Sequence, residues 1–131
     1  MRMISFQKTL PQFMDGSKTV TRRMGWKNLN AGQVLMGVEK AMGLKKGEKV
    51  NKLGVIQVVS TRWEPLEDIT QEDVVREGFR YWTPEEFIEF FCKFNKCKRT
   101  DLVNRIEFKK LCNPPCPDFE PEDPKNIPWE V

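Results

Sequence analysis

The feature that most constrains the fold of this chain is the run of residues 53–63, LGVIQVVSTRW. It is rich in Val and Ile, which favour strands, and near its middle both alternating sets of side chains are largely apolar. A strand that is apolar on both faces is typically covered on both faces. The run therefore predicts a central, buried strand.

Shorter patterns on either side predict the rest of the fold. Further strands are predicted at residues 3–6, 19–23, 33–39 and 102–111. Helices are predicted from about Leu10, after Thr70 and after Thr83, where Ser/Thr caps or Pro in the first turn mark their starts. Because helices and strands do not alternate as βαβ units, the predicted class is α+β: a small mixed barrel with two to three flanking helices.

A stripe of phenylalanines marks the helix that begins after Thr83. Its members recur at helical spacing, Phe87, Phe90, Phe91 and Phe94. Such a stripe is typical of a helix face that packs into the core. We therefore interpret it as a core face rather than as a platform for stacking bases.

The chain of 131 residues divides into a domain at residues 1–112 and a tail at 113–131, which is acidic and holds six prolines. The domain is long enough to fold without disulfides or metal. Neither a membrane span of ~18 apolar residues nor a secretory leader is recognisable, so we expect a cytoplasmic protein. The tail could recruit a protein partner, as in a phage-type interaction module.

Charge is distributed unevenly along the chain. Residues 1–63 carry 12 Lys and Arg against three Asp and Glu, although the net charge of the whole chain is only +3. A basic half favours contact with phosphates or nucleic acid, and lysines that merely solvate loops are the alternative. The chain has no histidine. This excludes a histidine-based catalytic relay and a histidine-ligated zinc.

The four cysteines, Cys92, Cys97, Cys112 and Cys116, lie in the last third of the chain. Their spacings are looser than the usual Cys-x-x-Cys of zinc sites. We expect structural or free thiols and no cofactor, with a four-thiolate zinc site as the alternative.

The stretch DGSKTVTRR, residues 15–23, is the strongest candidate for a functional site. Lys18 and Thr21 would point to opposite faces of a regular strand, so they converge only if Lys18 lies in the preceding turn. Nearby cations would form a basic lip for phosphates: Lys18, Arg22, Arg23 and Lys27, extended by Lys45, Lys46, Lys49 and Lys52. Candidate side chains for stacking on a base are Trp26, Trp63, Tyr81 and Trp82.

Four ordered motifs carry a resemblance to a known family. They are G-x-K-x-x-T-x-R at residues 16–23, E-x-L at 64–66, E-G-F at 77–79 and the strand R-I-E-F at 105–108. Over about residues 2–112 the chain resembles the ASCH domain family of the PUA-like superfamily, and within it small bacterial and phage-encoded members. The resemblance implies a PUA-like fold that holds RNA, DNA or a modified nucleoside in a cleft between barrel and helix.

A more distant similarity is to amidohydrolases that remove acyl groups from acetylated cytidine. Carried over from that branch, the catalytic residues would be Lys18, Thr21 and Glu77. The family's usual Gly-Asp before the cleft is here Gly32-Gln33, a difference that bears on the substrate. A purely structural ion pair between Lys18 and Glu77 is the alternative role for these two side chains. Binding, hydrolysis and protein interaction thus remain three candidate functions of the chain.

Overall fold

The structure, a computed structural model, describes residues 1–112. Two predictions fall outside the described residues. One is the tail at 113–131, with its role in recruiting a partner, and the other concerns Cys116. Within residues 1–112 there are five strands: β1 Met3–Ser5, β2 Val20–Arg23, β3 Val34–Val38, β4 Lys52–Pro65 and β5 Leu102–Lys110. Three helices accompany them: α1 Leu10–Asp15, α2 Gln71–Arg76 and α3 Pro84–Asn95. The predicted α+β class is confirmed.

The strands form one mixed sheet in the order β1-β3-β4-β5-β2. β1 pairs with β3 in parallel, and the other neighbours are antiparallel. β4 is central, as predicted, and Val55 and Ile56 in its first half have no exposed surface. Its second half is more exposed, beyond a register shift between Val58 and Ser60.

The sheet of the predicted small mixed barrel is open rather than closed. Its edges are β1 and β2, which have three and four residues and no ladder to each other. A side chain spans the gap instead, because Arg23 Nη2 donates to the Ser5 carbonyl at 2.6 Å. Strands this short offer few backbone groups for a fifth pairing, so a side-chain hydrogen bond links the two edges where a ladder would close a barrel.

Two larger apolar clusters and a small one on β3 and β4 form the core of the described residues. The larger of the two lies between α1 and the sheet and contains Phe6, Phe13, Ile56 and Phe108. The other packs α2 and α3 against the start of β5 and includes Phe87 and Phe91, as the phenylalanine stripe predicted. The prediction is wrong for the rest of the stripe: Phe90 is half-buried and Phe94 is 48% exposed.

Local capping fixes where the helices begin and end. Thr83 Oγ1 accepts from the Glu86 amide while Glu86 Oε1 accepts from the Thr83 amide, so the predicted cap of α3 is confirmed. Gly16 ends α1 at φ +84°. In the part of the chain that the structure describes, no helix is long and apolar enough to cross a membrane.

Candidate functional site

A cavity of about 260 Å³ lies between three parts of the fold: the end of β1 with the turn that follows it, β2 and helix α3. Its floor is polar and charged, and its wall is aromatic. The floor is formed by Lys18, Thr21, Arg22, Arg23 and Glu77. The wall is formed by Phe79, Phe87, Phe90, Phe91 and Phe94, and the rim includes Lys8 and Asn95. The cavity thus unites all three residues of the proposed catalytic set.

The turn before β2 delivers Lys18 to the floor. Asp15 Oδ1 accepts from the Ser17 amide at 2.8 Å, which closes the turn after α1. The Lys18 amide donates to the Gln12 carbonyl, and the Thr19 amide donates to the Arg76 carbonyl at the end of α2. Lys18 therefore precedes the strand, as convergence with Thr21 required.

Lys18 and Glu77 form a buried ion pair. Lys18 Nζ lies 2.8 Å from Glu77 Oε1, and the two side chains are 4% and 3% exposed. The same ammonium donates to the Glu77 carbonyl at 2.9 Å. Burial lowers the pKa of Lys18, and the neighbouring Glu77 carboxylate opposes that shift. The ion pair between Lys18 and Glu77 that the sequence suggested is therefore present, and both residues line the cavity.

Arg22 extends this pair into a charge network. Its side chain has no exposed surface, and Nη1 donates to Glu77 Oε2 at 3.2 Å. Its Nη2 donates to Asp73 at 2.6 Å and to Glu64 at 3.2 Å. Arg105 donates two hydrogen bonds, of 2.6 and 3.0 Å, to the same Asp73 carboxylate. The network ties α2 to β2, β4 and β5, so Arg22 is a structural cation rather than part of an exposed lip.

Asp73 and Arg105 were not among the predicted site residues. Burial alone would raise the pKa of Asp73, but hydrogen bonds from Arg105 and Arg22 outweigh it and hold the pKa below its ordinary range. In return, the Asp73 carboxylate raises the pKa of Arg105. The available signal was Arg105 itself, a charged residue within a predicted strand.

Thr21 and Arg23 complete the polar floor. Arg23 Nε donates to Thr21 Oγ1 at 3.0 Å, and its guanidinium carbon lies 5.3 Å from the Phe6 ring centroid. Burial lowers the pKa of Arg23 to about 10, and Glu77 opposes the shift. Arg23 therefore stays charged at neutral pH. The floor presents a hydroxyl, three cations and a carboxylate within one small cavity.

The aromatic wall was missed because the phenylalanine stripe was interpreted as core. Phe90 and Phe94 meet edge to face, with ring centroids 4.9 Å apart. Lys8, on the short helical turn Gln7–Thr9, places its ammonium 3.8 Å from the Phe94 ring centroid. This cation–π contact bridges the cavity mouth between the turn and α3.

No family model and no curated protein matches the sequence. Solved structures do resemble the folded chain. An ASCH domain from Lactobacillus crispatus JV V101 superposes with a TM-score of 0.58 at 14% identity, covering 83% of this chain and 78% of that one. The chain has the fold of an ASCH domain. The resemblance seen in the sequence motifs is thus confirmed at the level of the fold.

Two further structures share this ASCH-type fold. Protein EF3133 from Enterococcus faecalis V583, described by the family name DUF984, gives a TM-score of 0.57 at 19% identity and covers 80% of this chain and 71% of its own. The hypothetical protein PH0355 gives 0.60 at 14% identity, covering 84% of this chain and 97% of its own. Their similarity establishes the architecture of the domain, and the ligand must be inferred from the geometry of the cavity.

Several predicted binding residues of the ASCH-type domain lie outside the cavity. Lys27, Lys45 and Lys46 are exposed on the loops at 24–33 and 39–51. Trp26 packs against the larger core cluster, with Arg2 over its ring at 4.1 Å. Trp82 stacks on Phe79 and lines a second cavity. The predicted basic lip is therefore not assembled, since Lys18 and Arg22 are buried in ion pairs.

The cysteines fall into separate places. Cys92 and Cys97 have Sγ atoms 3.9 Å apart and pack against the cluster beneath α3. Burial, with a contribution from Cys92, raises the pKa of Cys97 to about 11, which disfavours a thiolate. Cys112 packs against a different cluster, on β3 and β4. Within residues 1–112, no group of three or more Cys, Asp or Glu side chains could hold a metal ion.

Proposed function

We propose that this ASCH-type domain binds one nucleobase, free as a nucleoside or unpaired in a strand of RNA or DNA. The observation that carries the proposal is the aromatic wall of Phe90 and Phe94 facing a hydrogen-bonding floor across one cavity. A planar base would stack on the wall and present its edge to the floor, as in recognition of unpaired bases.

The size of the cavity favours a single base. Its volume of about 260 Å³ lies just below the range of roughly 300–1,000 Å³ that is typical of sites for drug-sized ligands. Two of the three cations of the floor, Lys18 and Arg22, are paired with carboxylates, while Arg23 donates to uncharged oxygens. A floor whose cations are largely neutralised suits the neutral edge of a base better than a phosphate.

The edge of the base would meet both donors and acceptors. The Thr21 hydroxyl can donate or accept, Arg23 donates, and Glu77 accepts. Such a mixed floor can distinguish exocyclic amino, carbonyl and acylamino groups, because a wrong group leaves a buried partner unsatisfied. The proposal therefore extends to a modified base, as in acetylated cytidine.

Calorimetric titration with cytidine, N4-acetylcytidine and the other common nucleosides tests the proposal. Phe94→Ala should weaken binding of the best nucleoside about 5- to 150-fold, the effect of roughly 1–3 kcal/mol of stacking. The matched control is Trp63→Ala, an aromatic that is 41% exposed on β4 away from the cavity. Absence of binding by every nucleoside and by short oligonucleotides would overturn the proposal.

A second candidate function is hydrolysis of the acyl amide of N4-acetylcytidine. It is favoured by the burial that lowers the pKa of Lys18 in the same cavity as Thr21. Neutral Lys18 would take the proton of the Thr21 hydroxyl as that oxygen attacks the acyl carbon. Cytidine would leave with a proton on N4, Glu77 would orient Lys18, and water would then release acetate.

The amidohydrolase function predicts a distinct pH profile. The rate should rise with pH until Lys18 is deprotonated, at a pH below the ordinary lysine value because its pKa is lowered. Lys18→Arg and Thr21→Val should each abolish release of cytidine measured by chromatography. No turnover by the wild-type protein, or full turnover by Thr21→Val, would exclude this mechanism while leaving nucleoside binding intact.

A further inference from the structure

We infer that the ligand is a single strand of nucleic acid that uses two cavities. One base fills the first cavity, and the neighbouring nucleotide of the same strand binds in the second. The inference rests on the proposed function and makes the preferred ligand an oligonucleotide rather than a free nucleoside. The second cavity has a volume of about 580 Å³ and lies beside the turn after α1 and the end of α2.

The two cavities are neighbours, because the same two chain segments contribute residues to both. Ser17 lines the second cavity and Lys18 the first. Likewise Gly78 lines the second and Glu77 the first, while Phe79 contributes to both. Two chain segments, 17–18 and 77–79, thus separate the cavities. A strand that crosses this partition can place consecutive bases on its two sides.

The second cavity carries the side chains that single-stranded nucleic acids require. Tyr81 is 84% exposed, and Trp82 is stacked on Phe79 with ring centroids 4.2 Å apart. The exposed Arg80 lies 4.8 Å from the Tyr81 ring centroid and donates to its hydroxyl at 2.8 Å. Aromatic faces with an adjacent arginine bind bases through stacking and phosphates through charge.

The polar groups of the second cavity suit the edge of a base. Gln12 lines the cavity, and its Oε1 is buried without a hydrogen-bond partner among the described residues. A rotation of the Gln12 amide would bring this free acceptor to an exocyclic amino group. Asp15 Oδ1 accepts from the Ser17 amide, and the Asp15 carboxylate adds one negative charge to the lining. Arg80 is the cation in the lining, which places the phosphate on its side of the partition.

The test compares a nucleoside with a trinucleotide that carries the same base at its centre, as RNA and as DNA. Wild-type protein should bind a trinucleotide about 5- to 150-fold more tightly than the nucleoside, the gain expected from one further stacked base. Tyr81→Ala should bring this affinity ratio close to one. Phe94→Ala should weaken both ligands and preserve the ratio. Trp63→Ala should change neither, which controls for loss of an exposed aromatic elsewhere.

Salt gives an independent readout. The added affinity of the trinucleotide should fall between roughly 50 and 200 mM salt, because Arg80 neutralises a phosphate, whereas nucleoside binding should stay constant. The inference is overturned if the trinucleotide binds no more tightly than the nucleoside, or if Tyr81→Ala leaves the ratio unchanged. In either case nucleoside binding that depends on Phe94 still stands. Loss of all binding to both ligands instead refutes the proposed function itself.

Discussion

Lys18 Nζ and Glu77 Oε1 lie 2.8 Å apart although 59 residues separate them in the chain. Both side chains are buried, and the Glu77 carboxylate also accepts from Arg22. The pair joins the turn before β2 to the residue that ends α2. The floor of the candidate site is therefore also a structural tie, and substitutions there should affect stability as well as binding.

Removing the cation of this tie should be strongly destabilising. We expect Lys18→Met to lower the free energy of unfolding by about 3 kcal/mol, the lower part of the range for breaking a buried pair, because Arg22 still neutralises Glu77. The urea midpoint measures the loss. Lys46→Met, at an exposed loop lysine, is the control and should stay within about 0.5 kcal/mol of wild type. A similar effect of both variants would show that the pair contributes nothing.

Asp73 should give the fold an acid-sensitive component. Its pKa in the folded chain lies below the ordinary 3.8, so its contribution is fully present above that pH and is lost as the pH falls further. Asp73→Asn should therefore reduce stability near neutral pH and flatten the loss of stability between about pH 5 and pH 2. Urea unfolding along this pH series checks the slope. Parallel curves for the two proteins would contradict the prediction.

Gly78 should tolerate no side chain. It adopts φ +106°, and a Cβ there would lie 2.7 Å from Gln12 Cβ, on the partition between the cavities. Backbone strain at a positive φ alone costs about 1–3 kcal/mol, and the steric overlap with Gln12 adds to it. Gly78→Ala should therefore lower the free energy of unfolding by more than the strain alone. Gly25→Ala is the matched control, since its Cβ meets open space and its φ is not positive. Equal melting temperatures for the two variants would refute this account.

Arg23 should hold the two edges of the open sheet together. Lysine cannot reproduce its hydrogen bonds to both Ser5 and Thr21, which leave from different guanidinium nitrogens. Arg23→Lys should therefore speed amide exchange in β1 and β2 more than in β4. Arg62→Lys, at an exposed position on β4, serves as control. If Arg23→Lys speeds amide exchange by the same factor in all strands, the edges are held together by other contacts.

Local sequence signals determined the elements of this fold. Thr83 with Glu86 predicted the start of α3, and Gly16 predicted the end of α1, because caps act within a few residues. Residues 53–63 predicted the central strand through their own pattern of apolar side chains. The strand predicted from Thr19 left Lys18 before β2, and the structure has it there.

Only the tertiary structure decided which charges are buried and which aromatics are exposed. Arg22 meets Asp73 across 51 residues, and Arg105 meets it across 32. Phe94 repeats the spacing of buried Phe87 and Phe91, yet it faces the cavity beside Lys8. Periodicity fixes which face of a helix a residue occupies, but the packing of distant elements decides whether that position meets core, charge or solvent. The sequence therefore determined the elements and the turn that presents Lys18, and long-range packing created the two cavities between them.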